Sequence, residues 1–283
     1  MNDRPARIGF ISFLLIAVVP IIAGLFYATL YSVGLAGLFL EGVTLRYWSA
    51  VLSSYDFWSS VVLSAYIAFA VTLATIAASL GLVLTLPDSL RRGPLASLIY
   101  LPLALPWTVA GFFTYQMLSA GGFASRLTTS IGVTAGVRDF PALVQDRAGI
   151  GIILAHVLLA TPFFTLLFVA LYESERIEEL ASLAASLGAG AGESLRRVSV
   201  PILLRGAAPN AVLLFVVVLG SYEIPLLLGR QTPQMLSVLT LRKFAMYDIA
   251  QKPQAFVVAL LYAILIAALV RAAVRGGGGH DAA

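Results

Sequence analysis

The sequence predicts an all-α integral membrane protein with six transmembrane helices. Of its 283 residues, 60% are hydrophobic and only 11% are charged, against about 25% charged in an ordinary soluble domain. Mean hydropathy is +0.94. The apolar residues are gathered into six long runs. A soluble fold of this size leaves too much surface in water to hide so much apolar area, and disorder needs the opposite composition.

The runs are Ile8–Leu30, Ser59–Leu86, Leu95–Leu118, Gly149–Tyr172, Pro209–Leu228 and Ala255–Val274. Each approaches the ~20 apolar residues that cross the hydrocarbon core. Each is expected to be helical, because lipid offers no partner to an unpaired backbone group. The runs lack the two-residue alternation of a membrane β-barrel. The first follows Arg4 and Arg7 and is too long for the apolar stretch of a cleaved signal, so it reads as a retained anchor. Those two arginines, with no further base until Arg46, place the N-terminus in the cytoplasm. Six crossings return the C-terminus there, with Arg91 and Arg92 after the second span and Arg271 and Arg275 closing the sixth. Segment 31–58 then faces outward with Tyr47, Trp48, Tyr55, Phe57 and Trp58 as an interfacial aromatic belt. Residues 87–94 form a short internal turn, and 119–148 a polar, Gly-rich external segment. In the second span Ala70, Ala74 and Ala78 form a small-residue face suited to close helix packing. Pro102, Pro106 and Pro162 are expected to kink spans three and four.

Composition also excludes chemistry. There is no cysteine, and the two histidines, His156 and His280, are too few for a zinc or haem site. Neither Lys243 nor Lys252 follows the glycine of a phosphate-binding loop, so the chain has no ATP cradle of its own. The basic residues lie scattered between apolar spans, which suits membrane topology and not nucleic-acid binding.

The most charged stretch is 173–208. There Leu180, Leu183, Ala184 and Leu187 fall on one helical stripe, and Glu175, Glu178 and Glu179 favour its N-terminal end. Gly188, Gly190 and Gly192 break the helix, and a second short helix over Glu193–Val198 is expected before Pro201. An apolar stripe outside the membrane spans needs a partner surface or the interface to cover it.

This stretch resembles the cytoplasmic signature of the permeases of binding-protein-dependent ATP-binding-cassette importers: Glu-Ala-Ala, three residues, Gly, nine residues, Ile-x-Leu-Pro. Here Ser182, Leu183 and Ala184 stand at the opening, Ala185 to Leu187 are the spacer, and Gly188 is the glycine. Ala189 to Arg197 then lead to Val198-Ser199-Val200-Pro201. Ser182 replaces the glutamate and Leu183 the first alanine, while the frame from glycine to proline is intact. The resemblance implies an importer-permease architecture with a coupling helix between helices 4 and 5. On that reading residues 1–57 are an anchor helix with an external aromatic segment, 58–274 a five-helix permease core, and 275–283 a Gly-rich cytoplasmic tail. It assigns Ser182, Leu183, Ala184, Leu187, Gly188, Ala189, Gly190, Arg196, Arg197 and Pro201 to contact with an ATPase subunit. Arg196 and Arg197 would meet acidic groups there, or simply mark the cytoplasmic side. The chain would carry no cofactor, ATP and Mg being held by the ATPase. Further partners would be a second permease, an extracytoplasmic solute-binding protein and membrane lipid, with no nucleic acid. The location implied is a prokaryotic inner membrane.

Glu223 lies about 14 residues into the fifth run, beside Ser221 and Tyr222. An ionisable residue inside a span is a candidate for the solute path; pairing with Arg230 is the structural alternative. The sequence around it is similar to permeases for polyamines and ferric iron, so a small cation such as a polyamine is the expected solute, with iron, an anion or a sugar as alternatives. Tyr115 and Gln116 are further path candidates. His156 is expected to be a packed, hydrogen-bonded residue, with a proton relay as its alternative role. Rival readings are an ion-driven secondary transporter, which lacks visible repeats here, an intramembrane serine hydrolase, which lacks its nucleophile turn, and a membrane scaffold.

Overall fold

The computed structural model describes residues 4–37, 42–86, 89–90 and 97–277, and among them all regular structure is helical. The internal turn expected at 87–94, the start of the third run and the end of the Gly-rich tail lie largely or wholly outside the described residues. The chain divides into two compact units, residues 1–61 with 236–268, and residues 62–235 with 269–283.

In the first unit, α1 (Arg4–Phe13), a π-helical turn (Leu14–Val18) and α2 (Val19–Ser32) follow in unbroken helix. Short α3 (Arg46–Leu52) leads to the start of α4 (Tyr55–Thr85). α12 (Leu236–Ala245) and α13 (Lys252–Gly277) as far as residue 268 complete the unit. The expected aromatic belt is only partly one. Tyr47 and Phe57 are buried in a core with Val51, Leu236, Val257 and Val258, whereas Tyr55 and Trp58 are exposed. The indole N–H of Trp48 donates to Ser32 Oγ (3.2 Å) and that of Trp58 to the Leu52 carbonyl (2.8 Å). Each bond satisfies the polar end of a ring that is otherwise apolar.

The second unit holds the rest of α4, then α5 (Trp107–Leu118), α6 (Phe123–Ser130), α7 (Ile150–Ser174), α8 (Ile177–Ser186), α9 (Ala191–Ser194), a π-helical turn (Leu195–Ser199), α10 (Val200–Leu219) and α11 (Glu223–Leu228). The buried stripe of α4 there is Ser64, Ile67, Ala68, Val71, Thr75 and Ser79. The alanine face is less buried: Ala70 and Ala74 are half-buried and Ala78 exposed. The hydroxyl side wins because Ser79 Oγ donates to the Thr161 carbonyl of α7 (3.1 Å), a bond with no water to replace it in lipid.

Among the described residues five helices are long and apolar enough to cross a membrane: Gly9–Ser32, Tyr55–Thr85, Ile150–Ser174, Ala191–Leu219 and Ile249–Ala272. The third expected span is not among them. Leu105 and Pro106 are extended (ψ 124° and 144°), so α5 starts only at Trp107 and reaches about 18 Å, short of the ~30 Å core. A proline both lacks the N–H and pushes its predecessor out of the helical region. Pro106 therefore stands just before the start of α5 instead of kinking a longer helix, whereas Pro162 sits within α7 without breaking it.

The fifth expected span is also redrawn. Helix runs unbroken through α9, the π turn and α10, from Ala191 to Leu219, about 43 Å. The separate short helix expected over Glu193–Val198 is the foot of this long one, and Pro201 lies in its first α-turn past the π segment. The chain then breaks at Gly220–Tyr222.

Candidate functional site

The segment 173–201 forms a tight corner. α7 ends at Ser174, and Arg176 turns the chain with a left-handed backbone (φ +49°). α8 follows, with Glu178 and Glu179 in its first turn. Its C-terminus closes as a Schellman motif: Ala189 N–H donates to the Ala184 carbonyl and Gly188 N–H to the Ala185 carbonyl, both at 3.0 Å. That closure places Gly188 at φ +92°, where a glycine carries no steric penalty. Gly190 is then extended, and its carbonyl accepts from Glu193 and Ser194 N–H (3.0 Å each) to start α9. The glycine of the sequence motif is thus the cap of one helix, two residues before the cap of the next.

Within α8 only Ile177 is buried. The predicted apolar stripe points away from the chain: Leu183 is 60% and Leu187 89% exposed. Gly188, Gly190 and Gly192 have open space where a Cβ would stand. Ser182 Oγ donates to the Glu178 carbonyl (2.9 Å), so the residue in the motif's glutamate position is bonded to its own helix. Arg197 pairs within its helix with Glu193 (3.0 Å), and Arg196 is exposed. Beside α8 lies an open groove of about 760 Å³ lined by Tyr172, Glu173, Arg176, Glu178, Glu179, Ser182, Leu183 and Ser186. Its carboxylates, Glu178 and Glu179 of the charged first turn with Glu173, outnumber its one guanidinium.

The path candidates gather on α5 and α11, which pack together. A Cβ at Gly111 would stand 3.1 Å from Leu227 Cδ1 and 3.5 Å from Ile224 Cγ1, so the small residue sets how close the two helices come. Glu223 is not within a continuous span: it opens six-residue α11 beyond the break, with Tyr222 before it and buried Ser221 in the break. Glu223 thus stands in the first turn of a short helix and not within a continuous long one. Nor does it pair with Arg230. Among the described residues Glu223, Tyr115, Gln116 and Arg230 have no side-chain hydrogen bond or ion pair, and α11 separates Glu223 from Arg230 by roughly 10 Å. Glu223, Tyr115 and Gln116 are exposed. His156 is a packed residue: its Nδ1–H donates to the Ile152 carbonyl (2.7 Å), and Trp107 meets its ring edge-on at 5.5 Å between centroids. Trp107 and Gly111 went unremarked in the sequence; a glycine inside an apolar run was the available signal for close packing.

The comparisons with known proteins bear on this architecture. No family model matches the chain. It is 26% identical over 166 residues to the molybdenum transport system permease protein ModB of Azotobacter vinelandii, a match covering 58% of this chain and 68% of that protein. It is 30% identical over 139 residues to the thiamine transport system permease protein ThiP of Brucella suis biovar 1 (strain 1330), covering 49% of this chain but only 24% of that one. Its fold matches a chain of a bacterial ABC transporter involved in the import of the acidic polysaccharide alginate, with TM-score 0.72 at 16% identity over 97% of this chain and 94% of that chain. A second match is to a bacterial alginate ABC transporter in complex with an alginate pentasaccharide-bound periplasmic protein, with TM-score 0.67 at 16% identity over 95% and 91%.

The relatives' names, permease proteins of transport systems, and the shared fold are in keeping with the resemblance carried by the motif at 182–201. The rival secondary transporter is not favoured. The polyamine and ferric-iron expectation finds no support, since the relatives' names concern molybdenum and thiamine and the structural matches alginate.

Proposed function

We propose that this chain is the membrane-spanning permease subunit of an ATP-driven importer and that α8 is its coupling helix. The observation that carries the reading is the exposed corner. Leu183 and Leu187 stand in open solvent at the end of a capped helix whose one buried residue ties it to the spans. Such a face is stable in an assembly that covers it. The occupant proposed is a separate ATPase subunit, which binds ATP and Mg. Its closure moves α8, and α8 moves α7 and α10, between which it is strung. With both termini and α8 cytoplasmic, the far end of α10 and α11 face outward. There α5 and α11 form one wall of the solute path, bearing Tyr115, Gln116, Ser221, Tyr222 and Glu223. A second permease, identical or homologous, forms the facing wall, and a solute-binding protein delivers a polar solute from outside. The ABC transporter solved with a periplasmic protein supports that last partner.

The test is reconstitution. The chain is placed in liposomes with candidate ATPase and binding-protein partners from its own host, and uptake of the solute that the binding protein retains is followed. Uptake should require ATP and all components. Transport by the permease alone, or driven by an ion gradient, would refute the proposal.

A further inference from the structure

Resting on the reading of α5 as a wall of the solute path, we infer that the broken segment at its start, residues 103–109, lines that path at mid-depth. There it presents main-chain carbonyls and N–H groups to water and to a passing polar solute.

Depth carries the first half of the argument. Pro102, just ahead of the break, shares a groove of about 500 Å³ with Thr161 and Pro162 of α7. Thr161 lies about 17 Å past the start of α7 at Ile150, near the middle of its 25 residues. Because α7 is long and apolar enough to cross a membrane, the break stands near the middle of the bilayer and not at its surface.

Exposure carries the second half. Leu103, Ala104, Leu105, Pro106, Thr108 and Val109 are all exposed. The first bond of α5 runs from Ala110 N–H to the Pro106 carbonyl (3.0 Å). Among the described residues, the carbonyls of Leu103, Ala104 and Leu105 and the N–H groups of Trp107, Thr108 and Val109 have no hydrogen-bond partner. Irregular backbone with open polar groups does not face lipid at that depth; it is buried in protein or borders water. A helix of a second permease has its own backbone groups already paired and leaves these six unmet, whereas water, or a solute in water, meets them. The side chains of α5 agree. At about 100° per residue, Thr108, Phe112, Tyr115 and Gln116 fall within about 100° of one another, and all four are exposed. Residues 97–118 include no charged side chain, so at the break the main chain itself supplies the polarity.

The chain has no cysteine, so an introduced thiol is its sole one. Ala104→Cys, Thr108→Cys and Tyr115→Cys are compared with Leu73→Cys, an exposed apolar position of α4. Each is treated with a cationic methanethiosulfonate in host membranes that hold the assembled complex, without nucleotide and during ATP turnover. In at least one condition Ala104→Cys and Thr108→Cys should label about tenfold or more faster than Leu73→Cys, because the reacting thiolate scarcely forms in hydrocarbon. The attached group should abolish ATP-driven uptake. Slow labelling of both positions in both conditions overturns the inference, because a break covered by a partner helix or by lipid would behave so. Full uptake after complete labelling also overturns it, since the water would then lie outside the path. Fast labelling of Tyr115→Cys alone overturns the inference and leaves α5 as a wall. Fast labelling at the break with slow Tyr115→Cys upholds the break and removes Tyr115 from the wall. Labelling as expected in a complex without ATP-dependent uptake upholds a water-lined break and sinks the importer reading.

Discussion

Gly188 offers the sharpest measurement of the docking proposal, because the structure separates two costs that usually travel together. Its φ of +92° belongs to the Schellman closure of α8, and an L-residue in a left-handed conformation costs roughly 1–2 kcal/mol. Among the described residues nothing lies within 4 Å of a Cβ placed there. Gly188→Ala and Gly188→Leu therefore carry the same backbone strain and no internal clash. If all of that strain falls on the docking-competent corner, either variant alone weakens capture of the ATPase by about 5- to 30-fold. A partner surface in close approach adds a penalty to leucine that alanine escapes. The assay is the affinity of purified permease for its ATPase, with solute moved per ATP hydrolysed measured at saturating ATPase. The expected order is glycine, then alanine, then leucine, with the complex still forming and its coupling falling. Equal behaviour of alanine and leucine would show that no partner approaches the corner, and full activity of both would remove Gly188 from the mechanism.

The other expectations follow from packing. Gly111→Leu drives a side chain into Ile224 and Leu227 and should destabilise the chain by about 1–3 kcal/mol, whereas Gly111→Ala asks for a shift of only a few tenths of an ångström; thermal unfolding in detergent distinguishes them. Ile177→Ala removes the buried anchor of α8 at a local cost of about 2–5 kcal/mol and should raise protease cleavage near 175–190 while the spans stay resistant; an unchanged cleavage pattern would mean that Ile177 does not anchor the helix. Glu223→Gln changes charge on an exposed, unpaired side chain, so stability should hold and solute KM or rate should change; identical uptake kinetics would remove Glu223 from the path.

Much of this was legible in the sequence. Long apolar runs mark membrane helices because hydrocarbon imposes length and composition together, and five of the six runs contain or overlap a helix long enough to cross. The corner was legible through its glycines and its leucine stripe. Other features were not. The alanine face of α4 and its hydroxyl face have the same spacing, and only the Thr161 carbonyl opposite Ser79 decides between them. Glu223 looked embedded because Gly220–Tyr222 is apolar enough to continue a run, although the backbone breaks there.

What the chain's composition determined by itself was its solvent. An excess of apolar residues in runs of membrane length leaves lipid as the one medium that accepts them, and helix as the backbone that pairs its own polar groups. What the tertiary structure decided was direction: which face of each helix is buried, and that Leu187 is left bare while Ile177 is buried. Facing is set by contacts between residues distant in the chain, and a run's hydropathy, which is summed along it, carries no record of them.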